Sequence, residues 1–252
     1  MHNLDNNDTK HGSNTDDEPE HRSDYKPSKR ELVVPGELLD TNQTHKAGIG
    51  TYQDGEMIYA SQLGFKDIRS NYLNVISFGG KYIPRSGDSV IGKVTDIGPT
   101  NWTLDINSPY TAVLNIHEVP WDVEFGATSN YIDIGEAVLI KITNVDEIKR
   151  VQATMKGAGL RKLSGGFIIE ISASKVPRII GKSGTMISLL KRYTNCRMFV
   201  GQNGRIWLDG EMDNILVASR AINEIERKAH TSGLTSQIES YLKQSAPDLD
   251  RD

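Results

Sequence analysis

The chain has 252 residues, 37% of them hydrophobic and 25% charged, with a formal net charge of -4; this length allows one large domain or two to three small ones. No apolar run approaches the ~20 residues of a membrane-spanning helix, and the first residues lack the apolar core of a secretory leader. A single cysteine, Cys196, excludes an internal disulfide framework and a Cys-paired zinc site, and points to a reducing, cytoplasmic compartment.

Residues 1–30 read as an acidic tail. Their only sizeable apolar side chains are Met1, Leu4 and Tyr25. Such a segment buries too little surface to offset its ordering entropy, so disorder is expected. Three of the six histidines, His2, His11 and His21, lie here and read as solvated side chains. From residue 31 to about 80 the runs ELVVPGELL, AGIGTY, EMIYASQLG and NYLNVISF alternate with turn residues. This predicts a small all-β domain. Gly48, Gly50, Gly55 and Gly64 are expected at turns or bulges with positive φ.

A second β block spans 81–158. Its candidate strands are SVIGKVTDI, WTLDIN, TAVLNI, EAVLIKITNV and VQATM. The alternation of the first puts Val90, Gly92, Val94 and Asp96 on one face. Five short strands in this length predict a closed OB-type barrel, which leaves no free edges. The insert HEVPWDVEFGATSNYIDIGEA separates its third and fourth strands. Lys93, Trp102, Tyr110 and Lys141 are the candidates for stacking bases and holding phosphates on a barrel face. Trp102 has a rival reading as core. Trp121 reads as packing within the insert, and His117 as a loop residue.

KGAGLRKLSGG (156–166) reads as a basic, glycine-rich linker. Beyond it the periodicity changes. FIIEIS predicts a strand, SKVPRII a short helix with an early proline, and TMISLLKRY a second helix. CRMFVG and RIWLDG predict a hairpin turning at Gln202-Asn203-Gly204. DNILVASRAINEIERKA predicts a long helix with an apolar stripe at Ala218, Ala221, Ile222, Ile225 and Ala229, capped by Asp213. Trp207 is expected in the core of this module or at an interface. The order is β-α-α-β-β-α over 163–232, and 233–252 reads as a flexible, polar tail with at most a weak helix. Residues 161–230 carry twelve Lys and Arg against six Asp and Glu, a net +6, which leaves -10 for the rest. A basic block in an acidic chain marks a localised polyanion site, with a solvated surface as the alternative.

Between the two short helices lies I-I-G-K-S-G-T-M-I (179–187). A phosphate-binding loop of the G-x-x-x-x-G-K-[ST] type is disfavoured, because Val176 stands where the first glycine is required and the preceding segment with Pro177 reads as helix, not as a strand feeding a loop. A G-x-x-G clamp of the KH kind fits. Gly181 and Gly184 let a sugar-phosphate backbone approach the chain. Lys182 supplies charge, Ser183 a hydrogen bond, and Thr185 opens a helix whose N-H groups favour phosphate. Arg178, Lys191 and Arg192 flank the loop, while Ile179, Ile180 and Ile187 anchor the helices and floor a groove for bases.

VPRIIGKSGTMISLLKR resembles the signature of a type I KH domain. GKVTDIGPTNWTLDINSPYTAVLNI resembles the S1-type OB domain. VVPGELL with AGIGTY and IYASQLG resembles the N-terminal domain of exosome cap subunits, and the G-x-N-G element at 201–204 is similar to that family as well. Together these resemble the RNA-binding cap subunit of the archaeal exosome, from about Glu31 to Thr231. The sister cap subunit carries a Cys-rich zinc ribbon, which one cysteine excludes. The resemblance implies a non-catalytic protein without cofactor or metal. Three copies are expected on a hexameric ring of phosphorolytic subunits, docked through the N-terminal domain. Single-stranded RNA would be threaded 3′ end first for degradation and processing, with no membrane partner.

No catalytic set stands out. There is no H-x-x-x-H pair, G-x-S-x-G elbow or Cys/His dyad with supporting spacing, and Asp96 and Asp105 lie in barrel strands. Two alternatives remain at this point. One is a regulatory or translation-associated RNA binder acting alone. The other is an RNA-processing enzyme carrying the same modules. Bacterial polynucleotide phosphorylase carries them with KH before the barrel, behind large catalytic domains not seen here.

Overall fold

Alternation of buried and exposed residues builds the first domain. The computed structural model describes residues 31–41, 44–69, 71–77, 79–231 and 233–245, so the expected N-terminal tail and the last seven residues lie outside it. Strands β1 (Leu32–Val33), β6 (Gly64–Arg69), β7 (Tyr72–Ser77) and β3 (Lys46–Ala47) form one sheet. Strands β2 (Leu38–Asp40), β5 (Met57–Ala60) and β4 (Thr51–Asp54) form a second. Their inward residues Val33, Leu39, Ala60, Leu73 and Val75 make a small shared core. Both outer faces keep apolar side chains in solvent: Leu32, Tyr72 and Ile76 on one sheet, Leu38, Tyr52 and Met57 on the other. Gly50 and Gly55 have the expected positive φ, but Gly48 and Gly64 do not. Gly64 is required by close approach instead, since a Cβ there would lie 2.2 Å from the Ile76 carbonyl oxygen.

The second unit is a closed five-stranded barrel of β8 (Ser89–Ile97), β9 (Asn101–Asp105), β10 (Ala112–Asn115), β11 (Ala137–Val145) and β12 (Val151–Thr154). The order is β12-β10-β9-β8-β11, closed by the pairing of β11 with β12, and β10 runs parallel to β12. Val90, Val94, Trp102, Leu104, Ile106, Val138, Ile140 and Ile142 fill it. A bulge between Val94 and Asp96 shifts the register. Asp96 therefore points to solvent and Ile97 packs against the core, opposite to simple alternation. The insert caps one barrel end: the Trp102 indole donates to the Ile132 carbonyl at 3.0 Å, and Trp121 stacks on Tyr131. The supposed linker contributes a strand, β13 (Arg161–Leu163), that pairs with β11.

The third unit follows the expected order: β14 (Phe167–Glu170), α1 (Val176–Ile180), α2 (Thr185–Thr194), β15 (Arg197–Val200), β16 (Arg205–Asp209) and α3 (Met212–Arg227). The sheet order is β14-β16-β15, antiparallel throughout. Ala218, Ala221, Ile222 and Ile225 are buried, but Ala229 lies past the helix end and is half-buried. Asp213 sits in the first turn of α3, where its charge suits the helix dipole; Glu211 holds the capping position, without a side-chain cap bond. The segment expected to be a flexible tail from residue 233 is a helix, α4 (Leu234–Ser245). Leu234, Ile238 and Leu242, spaced four apart, put one apolar stripe into the KH core.

The barrel and the KH unit share an apolar seam. Across the outer face of the KH sheet, Ile168, Trp207 and Phe199 form one row. Trp207 packs with Ile91, Leu139 and Leu163 of the barrel sheet, which settles it as an interface residue.

Candidate nucleic-acid interface

The loop after α1 is held in a conformation that few side chains tolerate. Gly181 has φ +76°, and a Cβ there would lie 2.7 Å from the Met186 backbone nitrogen. Its N-H donates to the Pro177 carbonyl at 2.9 Å and ends α1. Ser183 and Gly184 also take positive φ, so the backbone folds back tightly before α2 begins at Thr185. Lys182, Ser183 and Thr185 are exposed. Among the described residues, the Lys182 ammonium and the Ser183 hydroxyl make no hydrogen bond or ion pair within the chain. Ile179 is fully buried, and Ile180 packs half-buried against the same core. The five loop positions 181–185 thus come together as one surface.

The three flanking cations behave differently. Lys191 is exposed near the far end of α2, about 9 Å along the axis from Thr185 at 1.5 Å per residue. Arg192 lies over the Tyr193 ring, 4.9 Å from its centroid, and donates to the Tyr193 hydroxyl at 3.2 Å. Arg178 turns away from the loop, donating to the Thr231 carbonyl at 2.6 Å. Arg178 therefore anchors the turn after α3 instead of flanking the loop.

On the barrel, Trp102 is fully buried, so it cannot stack a base; it is core because β9 alternates and turns Trp102, Leu104 and Ile106 inward. Lys93 and Lys141 are exposed on β8 and β11. Tyr110 is half-buried and lines a cleft of about 740 Å³ running along β10 and β12. Val113, Asn115, His117, Lys149, Arg150 and Gln152 line it too. Neither Lys93 nor Lys141 does. The sequence reading missed Lys149 and Arg150, although a basic pair in the short β11–β12 turn (DEIKRV) was a visible signal. His117, read as an ordinary loop residue, stands exposed at the rim.

The two surfaces are joined by a polar clamp. The Arg205 side chain is 8% exposed and pairs with Asp105 of β9 and with Glu170 of β14, the latter at 2.8 Å. Its Nη1 also donates to the Asp105 carbonyl at 2.7 Å. Burial pushes the Asp105 carboxyl up, but the Arg205 hydrogen bond, the Asn107 N-H and the charges of Arg205 and Lys93 outweigh it and hold it below the usual range. The hairpin tip is locked to the barrel by Asn203, whose Nδ2 donates to the carbonyls of Ile91 and Ile106 at 2.8 and 2.9 Å.

Cys196 is buried, and burial pushes its thiol up, away from the thiolate of a nucleophile. Among the described residues no group of three or more His, Cys, Asp or Glu is placed to hold a metal ion. No described helix is long and apolar enough to cross a membrane.

Comparison with known proteins matches all three units. Residues 32–69 match the N-terminal region profile described as exosome complex exonuclease RRP4, residues 81–125 the S1 domain of RRP4, and residues 166–214 the KH domain. The exosome complex component Rrp4 of Thermoplasma volcanium is 42% identical over 221 residues, covering 88% of this chain and 93% of the relative. The chain belongs to the Rrp4 family of exosome complex components. That of Methanosarcina acetivorans is 42% identical over 214 residues, covering 85% of this chain and 82% of the relative. A crystal structure of a proposed exosome complex RNA-binding protein aligns with a TM-score of 0.61 at 36% identity, covering 66% of this chain and 97% of that one. The relatives are archaeal, and the barrel and the βααββα unit are the S1 and KH modules of this family.

Proposed function

We propose that this chain is a non-catalytic RNA-binding cap subunit that delivers single-stranded RNA, 3′ end first, to a phosphorolytic exonuclease ring in the cytoplasm. The observation that carries the reading is the exposed Gly181–Gly184 loop, whose lysine and serine have no partner among the described residues. It lies on the unit that packs against the barrel, whose cleft is edged by Tyr110, Lys149 and Arg150. Aromatic and cationic groups in one groove suit base stacking and phosphate contact. The barrel candidates Lys93 and Lys141 supply general positive potential outside the cleft. In this reading the N-terminal domain docks on the ring, and the apolar side chains exposed on both of its sheets support that role. Three copies per ring follow from the family resemblance.

Replacing Lys182 and Ser183 together by Asp tests the KH loop. The exposed positions leave the fold intact, while like charge repels phosphate. Affinity for labelled RNA in a filter assay is expected to fall roughly tenfold, about 1.4 kcal/mol. Unchanged affinity would remove the loop from the account.

A further inference from the structure

The hairpin between β15 and β16 is the link between the two surfaces. Gly201, Asn203 and Gly204 at its tip are buried. Gln202 donates through its N-H to the Ser89 carbonyl at 3.0 Å, and its Oε1 accepts from the Ser89 N-H at 2.8 Å. Asn107 donates to the Asn203 carbonyl at 3.0 Å. Only two residues beyond Asn107 begin Pro109 and Tyr110, which open the barrel cleft. On the other side, α1 packs on β15, and α1 ends in the Gly181–Gly184 loop. A chain of contacts therefore links α1 through β15 and the hairpin tip to Asn107 at the mouth of the barrel cleft, with Gln202 exposed at the tip.

We propose that one continuous strand of single-stranded RNA occupies the KH loop and the barrel cleft of the same copy, crossing at the hairpin tip. This rests on the RNA-binding reading above and adds its register. A G-x-x-G loop clamps about four nucleotides, and an OB surface takes at least about four. The minimal occupant is thus roughly eight nucleotides plus the crossing. At the crossing a single guanidinium, Arg205, engages two carboxylates, Asp105 and Glu170, and cancels one of their two negative charges. The seam of Trp207, Ile91, Leu139 and Leu163 holds the modules in fixed relation. Once one module is loaded, the other meets the same strand at high effective concentration, which multiplies affinity without any new contact.

The experiment uses the full chain and 5′-fluorescein oligouridylates of about 4, 8, 12 and 16 nucleotides, lengths that bracket the two site sizes. Fluorescence anisotropy gives the affinity and analytical ultracentrifugation the stoichiometry. Affinity is expected to rise on the order of 10²-fold between the shortest and the third length, then flatten, with one oligonucleotide per chain. Lys182→Asp and Arg150→Ala, both at exposed positions, are each expected to abolish that rise. Two oligonucleotides bound per chain, or a rise that survives either substitution, would overturn the shared path while leaving RNA binding intact. No binding at any length would instead overturn the RNA-binding reading and the path with it.

Discussion

Asn203→Ala is the sharpest perturbation of the joint between the two modules. Asn203 is fully buried, and its amide satisfies two main-chain carbonyls of the barrel, at Ile91 and Ile106. Alanine removes both donors; the Ile91 carbonyl keeps a long contact of 3.5 Å from Arg205 Nη1, while the Ile106 carbonyl loses its side-chain partner. Each lost net hydrogen bond costs about 1 kcal/mol, and a buried acceptor left unsatisfied raises that to about 1–3. The two together predict a loss of about 2–4 kcal/mol. Urea unfolding, followed by far-ultraviolet circular dichroism, reads the total. Hydrogen exchange at the Ile91 and Gln202 amides reads it locally. Asn203→Asp keeps the shape but faces two carbonyl oxygens with an unpaired carboxylate. Its folded pKa would be raised, so that variant should be less stable than Asn203→Ala at neutral pH and recover as pH falls. A loss below about 0.5 kcal/mol for Asn203→Ala, with unchanged exchange at the seam, would refute the claim that this side chain holds the modules together.

Three further outcomes are expected from the structure. Asp105 has a lowered pKa, so its contribution is complete above the unfolded value near 3.8 and is lost as pH falls through the lower folded value; Asp105→Asn should flatten that part of the acid limb in a pH series of denaturation midpoints, and an unaltered limb would contradict it. Gly181→Ala should cost more stability than Gly184→Ala. Both positions have positive φ, but only at 181 would the new Cβ press on backbone, whereas at 184 the nearest atom is 3.9 Å away; equal melting temperatures would be inconsistent with this. Leu242→Ala should destabilise by about 2–5 kcal/mol as a buried large-to-small change; a near-zero effect in urea unfolding would mean that α4 is dispensable to the KH core.

Local signals in the sequence predicted most of the fold. The βααββα order is legible because strand alternation gives way to a 3.6-residue period on either side of a loop that only small residues allow. The barrel is legible from five short strands with turn residues between them. The failures involve long-range partners. Asn203 reads as a turn residue, and nothing near it announces that its amide reaches carbonyls about a hundred positions away. Arg161–Leu163 is too short a strand to show a period, and its pairing with β11 is visible only in space. Arg178 sits three residues before the loop, yet its guanidinium is drawn to Thr231. Two misses were avoidable. The stripe Leu234, Ile238, Leu242 marks α4 in plain sequence, and the alternation of Trp102 with Leu104 and Ile106 marks that indole as core.

The account stands most directly on phosphate-dependent turnover of a labelled RNA, followed on gels with this chain alone, with a phosphorolytic hexameric ring alone, and with the two combined. The chain alone should leave the RNA at full length, and its addition should speed shortening by the ring, with the Lys182→Asp/Ser183→Asp variant losing much of that gain. RNA shortened by the isolated chain, or a ring indifferent to its presence, would contradict a binding cap.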